Sequence, residues 1–160
     1  EWLKTLHAKN KYEVLARLEN LTDKLPPQSW RGREQISLQQ FSTPPALAYL
    51  LAQMLRPEAG KLALEPSAGT GCLAVWLKNA GCLTVVNEIS IRRKLLLELQ
   101  NFDAFSVNAE FLDDLLPAEI KPDYVLMNPP FSASSGRIAA RDSNFGFRHV
   151  ESALFRLQPG

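Results

Sequence analysis

Two cysteines, Cys72 and Cys82, and two histidines are all that the 160 residues hold. The cysteines have no His beside them and no second pair, which is poor spacing for zinc and too little for a disulfide scaffold. No metal site is expected, and a reducing cytoplasm fits best. Charge of one sign is also missing: 18 Lys and Arg against 17 Asp and Glu leave a net +1 at pH 7. No global field therefore draws the chain to nucleic acid or membrane, and any such contact must be local. There is no apolar run of the roughly 18 residues that a membrane span needs. The start, Glu1-Trp2-Leu3-Lys4, is neither a signal sequence nor an initiator methionine, which predicts a piece excised from a longer polypeptide. No repeat or extended low-complexity tract appears. With 46% hydrophobic and 22% charged residues, the composition is that of one globular domain with a packed core.

Apolar residues recur at helical spacing through Trp2, Leu3, Leu6, Tyr12, Leu15, Leu18, Leu21 and Leu25, predicting an amphipathic helix over 2–25. Such a helix either covers part of the surface that follows, the reading preferred here, or ends a preceding domain. Pro26-Pro27 stops it, and Gln28 to Glu34, with Trp30, Arg31 and Arg33, reads as a linker, so 1–35 is set apart from 36–160. Thr43 is placed to cap a second helix with Pro44 and Pro45 in its first turn and an apolar stripe at Leu47, Leu50, Leu51 and Leu55. From Lys61 onward, short apolar runs alternate with helical stretches, the rhythm of βαβ units on a parallel sheet. The expected strands are Leu62 to Leu64, Leu83 to Asn87, Phe105 to Val107 and Tyr124 to Met127. The expected crossover helices are Cys72 to Asn79, ended by Gly81, and Ile91 to Gln100. A loop, Ser132 to Gly146, leads to a last helix over Arg148 to Leu157.

The first strand runs into Glu65-Pro66-Ser67-Ala68-Gly69-Thr70-Gly71 and then a helix, which is a nucleotide-binding position in an α/β sheet. Gly69 and Gly71 permit positive φ and a close ligand approach. Glu88 follows the second strand, where a carboxylate accepts hydrogen bonds from both ribose hydroxyls of an adenosine cofactor. Taken singly, a glycine turn or a strand-end acid is how many α/β proteins connect their elements. Gly69-x-Gly71-x-x-Ala74 also satisfies the dinucleotide fingerprint, which keeps a nicotinamide-dependent dehydrogenase in view. Glu65 weighs against it: a carboxylate at the head of the turn is ill placed for a pyrophosphate but suits the methionyl ammonium of S-adenosylmethionine (SAM).

The fourth strand leads into Asn128-Pro129-Pro130-Phe131. Its carboxyl end should lie beside that of the first strand, so the two turns face one cleft. Each proline fixes its own φ, and Pro130 pushes Pro129 out of the helical region, which makes the loop stiff. An amino nitrogen on a purine ring is a poor nucleophile because its lone pair is delocalised. Two fixed acceptors, the Asn128 side-chain oxygen and the Pro129 carbonyl, bind its hydrogens and favour a pyramidal nitrogen, while Phe131 offers a face for base stacking. The tetrapeptide alone would pass for a turn after a strand; its co-occurrence with the glycine turn and the intervening acid points to this chemistry.

In these motifs the sequence resembles the DNA adenine-N6 methyltransferases, in the arrangement where cofactor motifs precede the catalytic one. The resemblance covers about Ile36 to Gly160. It implies a Rossmann-like class I SAM methyltransferase fold, SAM as cofactor and DNA adenine as acceptor, with Asn128, Pro129, Pro130 and Phe131 at the catalytic step. It further implies that Phe41 and Thr43, in Gln40-Phe41-Ser42-Thr43-Pro44, hold the methionyl end of SAM together with Glu65, Pro66, Ser67, Ala68, Gly69 and Gly71. In Asn108-Ala109-Glu110-Phe111-Leu112, Glu110 replaces the family's usual Asp as acceptor of the cofactor adenine amino group, and Phe111 flanks the ring. The whole pattern is similar to the methylase segment of large helicase and methylase proteins of phages and plasmids, with Arg148-His149-Val150-Glu151-Ser152-Ala153-Leu154 as a further match.

The family's sheet has seven strands and this sequence offers four. The expectation is therefore a fold truncated after the fourth strand, with an N-terminal helical extension, an open apolar edge at strand four and an incomplete catalytic domain. Arg137 and Arg141, in the Ser132 to Gly146 loop, are candidates for following a DNA backbone. His7 and His149 lack ligand partners at useful spacing and are assigned to surface or packing. RNA bases, a protein glutamine amide, and a non-catalytic module of a helicase-type protein remain as alternatives.

Overall fold

Short apolar runs separated by helices give a parallel ladder in the computed structural model, which describes residues 10–25, 42–130 and 145–159. Strands β1 (Leu62–Glu65), β2 (Leu83–Asn87), β3 (Asp103–Phe105) and β4 (Tyr124–Val125) lie in the order β3-β2-β1-β4. All three pairings are parallel, with Glu65 beside Val86, Asn87 beside Phe105 and Leu64 beside Val125. The chain winds from β1 to β2 and β3 on one side, then returns to place β4 on the other. By the switch-point rule of open α/β sheets, the ligand crevice falls between the carboxyl ends of β1 and β4.

Helices cover both faces. Because successive strand residues point to opposite sides, Ala63 packs with Val14, Leu18, Ala48, Tyr49, Ala52, Trp76 and Leu77. Leu64 packs instead with Val85, Ala109, Leu112, Leu116 and Ala153. The first face carries α1 (Lys11–Lys24), α2 (Pro45–Leu55) and α3 (Ala74–Asn79). Val86, Leu97 and Phe102 bring α4 (Ile91–Leu99) onto it beside α3. The second face carries a 3-10 turn (Ala109–Phe111), α5 (Leu112–Leu115) and α6 (Phe145–Arg156). The buried Arg156 guanidinium fastens α6 by donating to the carbonyls of Leu112 (3.0 Å), Asp113 (2.7 Å), Leu116 (2.6 Å) and Pro117 (2.8 Å). Those carbonyls lie in and just after a short helix, where the Asp113 and Leu116 carbonyls would otherwise lack a helical partner.

Several elements differ from the sequence reading. Asn10 caps α1, its side chain accepting from the Tyr12 amide at 3.1 Å. Val14 and Leu18 carry the buried stripe, and Tyr12 is 80% exposed, so the predicted apolar face is rotated. Trp2, Leu3, Leu6 and His7 lie outside the described residues. In α2, Pro44 and not Thr43 holds the cap position, with no side-chain cap. Its buried residues are Ala48, Tyr49 and Ala52; of the expected stripe, Leu51 and Leu55 pack against the core, whereas Leu47 and Leu50 are exposed. Two alanines let this helix approach closely enough for Tyr49 to meet Trp76 at a ring separation of 4.9 Å. Helix α3 starts at Ala74 instead of Cys72 because the glycine turn continues further. Strand β3 ends at Phe105 instead of Val107, since the Asn87 side chain takes both the Val107 amide and its carbonyl. Strand β4 is shorter than expected, although the Leu126 amide still donates to Leu64 at 3.1 Å. Among the described residues β4 pairs with β1 alone, and Leu55, Val125, Met127, Val150 and Leu154 line a groove of about 230 Å³.

Candidate functional site

Gly69 (φ +59°) and Gly71 (φ +86°) turn the chain from β1 into α3 through left-handed backbone that a side chain would strain. Space is closed as well, since a Cβ on Gly71 would lie 3.0 Å from Leu97. At the head of this turn Glu65 is 2% exposed. The Ala74 amide at the start of α3 hydrogen-bonds its carboxyl group, and Oε2 has no partner. Burial, with a smaller push from the Glu88 charge, holds the Glu65 pKa well above its ordinary 4.5. The folded chain thus prefers the protonated acid. As pH rises above 4.5 the unfolded chain releases this proton and the folded chain does not, so Glu65 destabilises the empty protein increasingly until its own raised pKa is passed. A buried carboxylate oxygen with nothing to accept from is a seat for a cationic donor.

The rest of the turn is built from the next strand. Pro66 and Ala68 are buried and Ser67 half-buried. The Ala68 amide donates to the Asn87 carbonyl at 2.9 Å. Glu88, also buried, receives the Gly69 amide at 2.7 Å and the Ser90 amide at 2.9 Å. This fixes a carboxylate at the end of β2, beside the turn. Asn87 and Arg93 were not singled out from sequence. Arg93 is buried on α4 with a guanidinium nitrogen 3.4 Å from where a Gly69 Cβ would stand. The available signal for Asn87 was its place as a polar residue closing an apolar run immediately ahead of an acid.

Across the crevice, Asn128 follows β4. Its side-chain amide donates to the Thr43 hydroxyl at 3.1 Å. Thr43, buried just before α2, therefore anchors the Asn128 carboxamide instead of capping a helix, and Oδ1 is left on the opposite side of the amide as an acceptor. Pro129 and Pro130 are half-buried. Phe41, Phe131, Arg137 and Arg141 lie outside the described residues. Beyond β3, Asn108 caps the 3-10 turn by accepting from the Glu110 amide at 3.1 Å. The Glu110 carboxylate meets Arg148 of α6 at 3.3 Å, and Phe111 is 50% exposed. His149 is buried on α6, where burial lowers its pKa against an opposing push from Glu110. Among the described residues no three His, Cys, Asp or Glu side chains cluster to hold a metal ion, and no helix is long and apolar enough to cross a membrane.

The arrangement therefore offers a buried acid for a cation, a glycine turn without side chains, a second acid one strand away, and a rigid Asn-Pro-Pro corner across the crevice. No protein-family model matches the sequence, and no curated protein does. Solved structures do. A Pyrococcus horikoshii protein assigned as an RNA methyltransferase aligns with a TM-score of 0.61 at 23% identity, over 93% of this chain and 68% of its own. The chain has the Rossmann-like class I methyltransferase fold. The modification subunit assigned to a type I restriction enzyme of Vibrio vulnificus aligns with a TM-score of 0.60 at 14% identity, over 91% of this chain and 34% of its own. The 16S rRNA guanine-N2 methyltransferase RsmC of Thermus thermophilus, solved with AdoMet and guanosine, aligns with a TM-score of 0.54 at 27% identity, over 75% of this chain and 33% of its own. The chain thus spans about a third to two thirds of the length of these proteins.

Proposed function

We propose that this chain forms the SAM site and acceptor corner of a methyltransferase that modifies the N6 amino group of adenine in DNA. The observation that carries the reading is Glu65, a buried carboxylate with an unmatched oxygen at the ligand-binding end of β1. The methionyl ammonium of SAM is the cation whose chemistry fits that seat. Glu88, one strand away, is the acid that would receive the ribose hydroxyls, and the positive φ of Gly69 and Gly71 lets the backbone turn tightly at this end of β1. When bound, SAM supplies an electrophilic methyl group whose bond to sulfur breaks as the acceptor nitrogen's lone pair forms the new N–C bond. The Asn128 carboxamide, held by Thr43, and the stiff Pro129 carbonyl accept the two amino hydrogens and stabilise the charge developing on nitrogen. The surplus proton then leaves to solvent, so no dedicated base is needed. A target inside a duplex has to be flipped out to reach this corner.

The acceptor reading rests on the Asn-Pro-Pro-Phe sequence and gains support from a restriction-enzyme modification subunit sharing the fold. RNA is the second reading, favoured by RsmC, whose acceptor is also the exocyclic amino group of a base. Tritium transfer from labelled SAM to DNA, RNA or protein separates them. Label in DNA recovered as N6-methyladenine is the expected result, and label confined to RNA or protein would replace the acceptor class.

Binding has a pH signature. An ammonium ligand favours ionised Glu65, so the protonated empty site must release its proton on binding. Affinity is expected to rise by up to about tenfold per pH unit below the raised Glu65 pKa and then level off. Calorimetry in two buffers of different ionisation enthalpy checks this, because proton release makes the apparent heat depend on the buffer. A buffer-independent heat at acidic pH would contradict it.

A further inference from the structure

We infer that Asn87 is a positioning residue that locks the glycine turn to the 107–111 segment, so the pocket is set before any ligand arrives; what the pocket holds rests on the SAM reading above. Asn87 is 1% exposed at the last position of β2. Its Nδ2 donates to the Pro66 carbonyl at 3.0 Å and to the Val107 carbonyl at 3.0 Å. Its Oδ1 accepts from the Val107 amide at 2.9 Å. One side chain thus grips the residue after Glu65 and, two strands away, the residue before Asn108.

The backbone ladder does not make these ties. Pairing of β2 with β3 ends at Asn87 and Phe105, and β1 ends at Glu65. Past those points the regular pairing stops, and both predicted cofactor segments begin there. Only a carboxamide meets the requirement, which is two donors and one acceptor in one plane. Asp lacks the donors, Leu lacks all three groups, and Ser is too short to span both neighbours. The main chain adds to the grip: the Asn87 carbonyl receives the Ala68 amide, and the Glu88 amide donates to the Phe105 carbonyl at 3.1 Å. Together these bonds set where the Glu65 and Glu88 carboxylates stand relative to the 3-10 turn bearing Glu110 and Phe111.

The test compares Asn87→Ala with Leu18→Ala, a core truncation on α1 remote from the crevice, both assayed well below their melting temperatures. SAM is the titrant, and amide hydrogen exchange is followed in the ligand-free proteins. Asn87→Ala is expected to weaken SAM binding roughly 10- to 100-fold, the scale set by misplacing contacts by about an ångström. Leu18→Ala should change it by less than about twofold, as distant sites act independently. Exchange at Ala68, Gly69 and Phe111 should quicken in Asn87→Ala alone. Asn87→Asp supplies a signature that lost stability would not move. The aspartate faces two carbonyl oxygens and regains a donor only on protonation, so its affinity relative to wild type should recover as pH falls. Glu65, Glu88 and Arg93, the charged groups around the turn, are common to both proteins. Equal SAM affinity in Asn87→Ala and Leu18→Ala, or exchange unchanged at the turn and at Phe111, would overturn the inference. Wild type that binds no SAM would overturn the cofactor reading instead, and the exchange pattern would still decide the role of Asn87.

Discussion

Glu65→Gln is expected to weaken SAM binding about 100- to 1000-fold while raising the melting temperature of the ligand-free protein. The opposite signs follow from one cause. In the empty site Glu65 is buried with an unmatched oxygen and a pKa held well above 4.5, so at neutral pH the fold must either keep a proton on it or bury a charge. Glutamine removes that cost and can keep the hydrogen bond from Ala74. The gain should appear as roughly 2 to 4 °C for each kcal/mol recovered in a domain of this size. The loss of binding reflects a buried ammonium deprived of its counter-charge, which typically costs about 2 to 5 kcal/mol. The pH dependence of stability should flatten above pH 4.5 in the same variant, because the group responsible has gone. Thermal melting and a SAM titration on both proteins check this. A variant that melts lower and binds normally would make Glu65 a structural acid.

Asn128→Ala should separate binding from chemistry. Its carboxamide is fixed by Thr43, and in the proposed reaction it serves to hold the acceptor nitrogen. Removing one preorganised polar group of this kind costs about 100- to 1000-fold in rate. Methyl transfer at saturating SAM is expected to fall by that amount, with the SAM dissociation constant within about threefold of wild type, the pattern of a group that acts at the transition state. Single-turnover rates and equilibrium binding measure the two quantities independently. Equal loss of both would show that Asn128 supports the fold of the crevice and does not serve the reaction.

Much of this was written into the sequence, and the exceptions have a common physical origin. Hydrophobic rhythm placed four strands and the helices between them, because burial on both faces of a parallel sheet leaves short, nearly continuous apolar runs. The glycine pair located the turn, because positive φ restricts the residues that can stand there. The boundaries that shifted are those set by side chains bonding to distant backbone. Strand β3 ends early because Asn87 captures Val107. Thr43 leaves the cap position because Asn128, 85 residues later, takes its hydroxyl. No local pattern encodes such pairings. The same limit explains why Asn87 and Arg156 escaped notice: each looks like an ordinary polar residue until its backbone partners are known. The α2 stripe was half right, for a different reason: Leu51 and Leu55 pack on the core as expected, whereas Leu47 and Leu50 do not. Periodicity favours leucines, but close approach to Trp76 required small residues, and Ala48 and Ala52 took the buried side.

The central claim is that the crevice beside Glu65 accepts SAM, and a titration of the protein with SAM, run alongside one with NADH, tests it most directly. Saturable one-site binding of SAM with no NADH binding is the predicted result; NADH binding in place of SAM, or no saturable SAM binding at any pH, would contradict it.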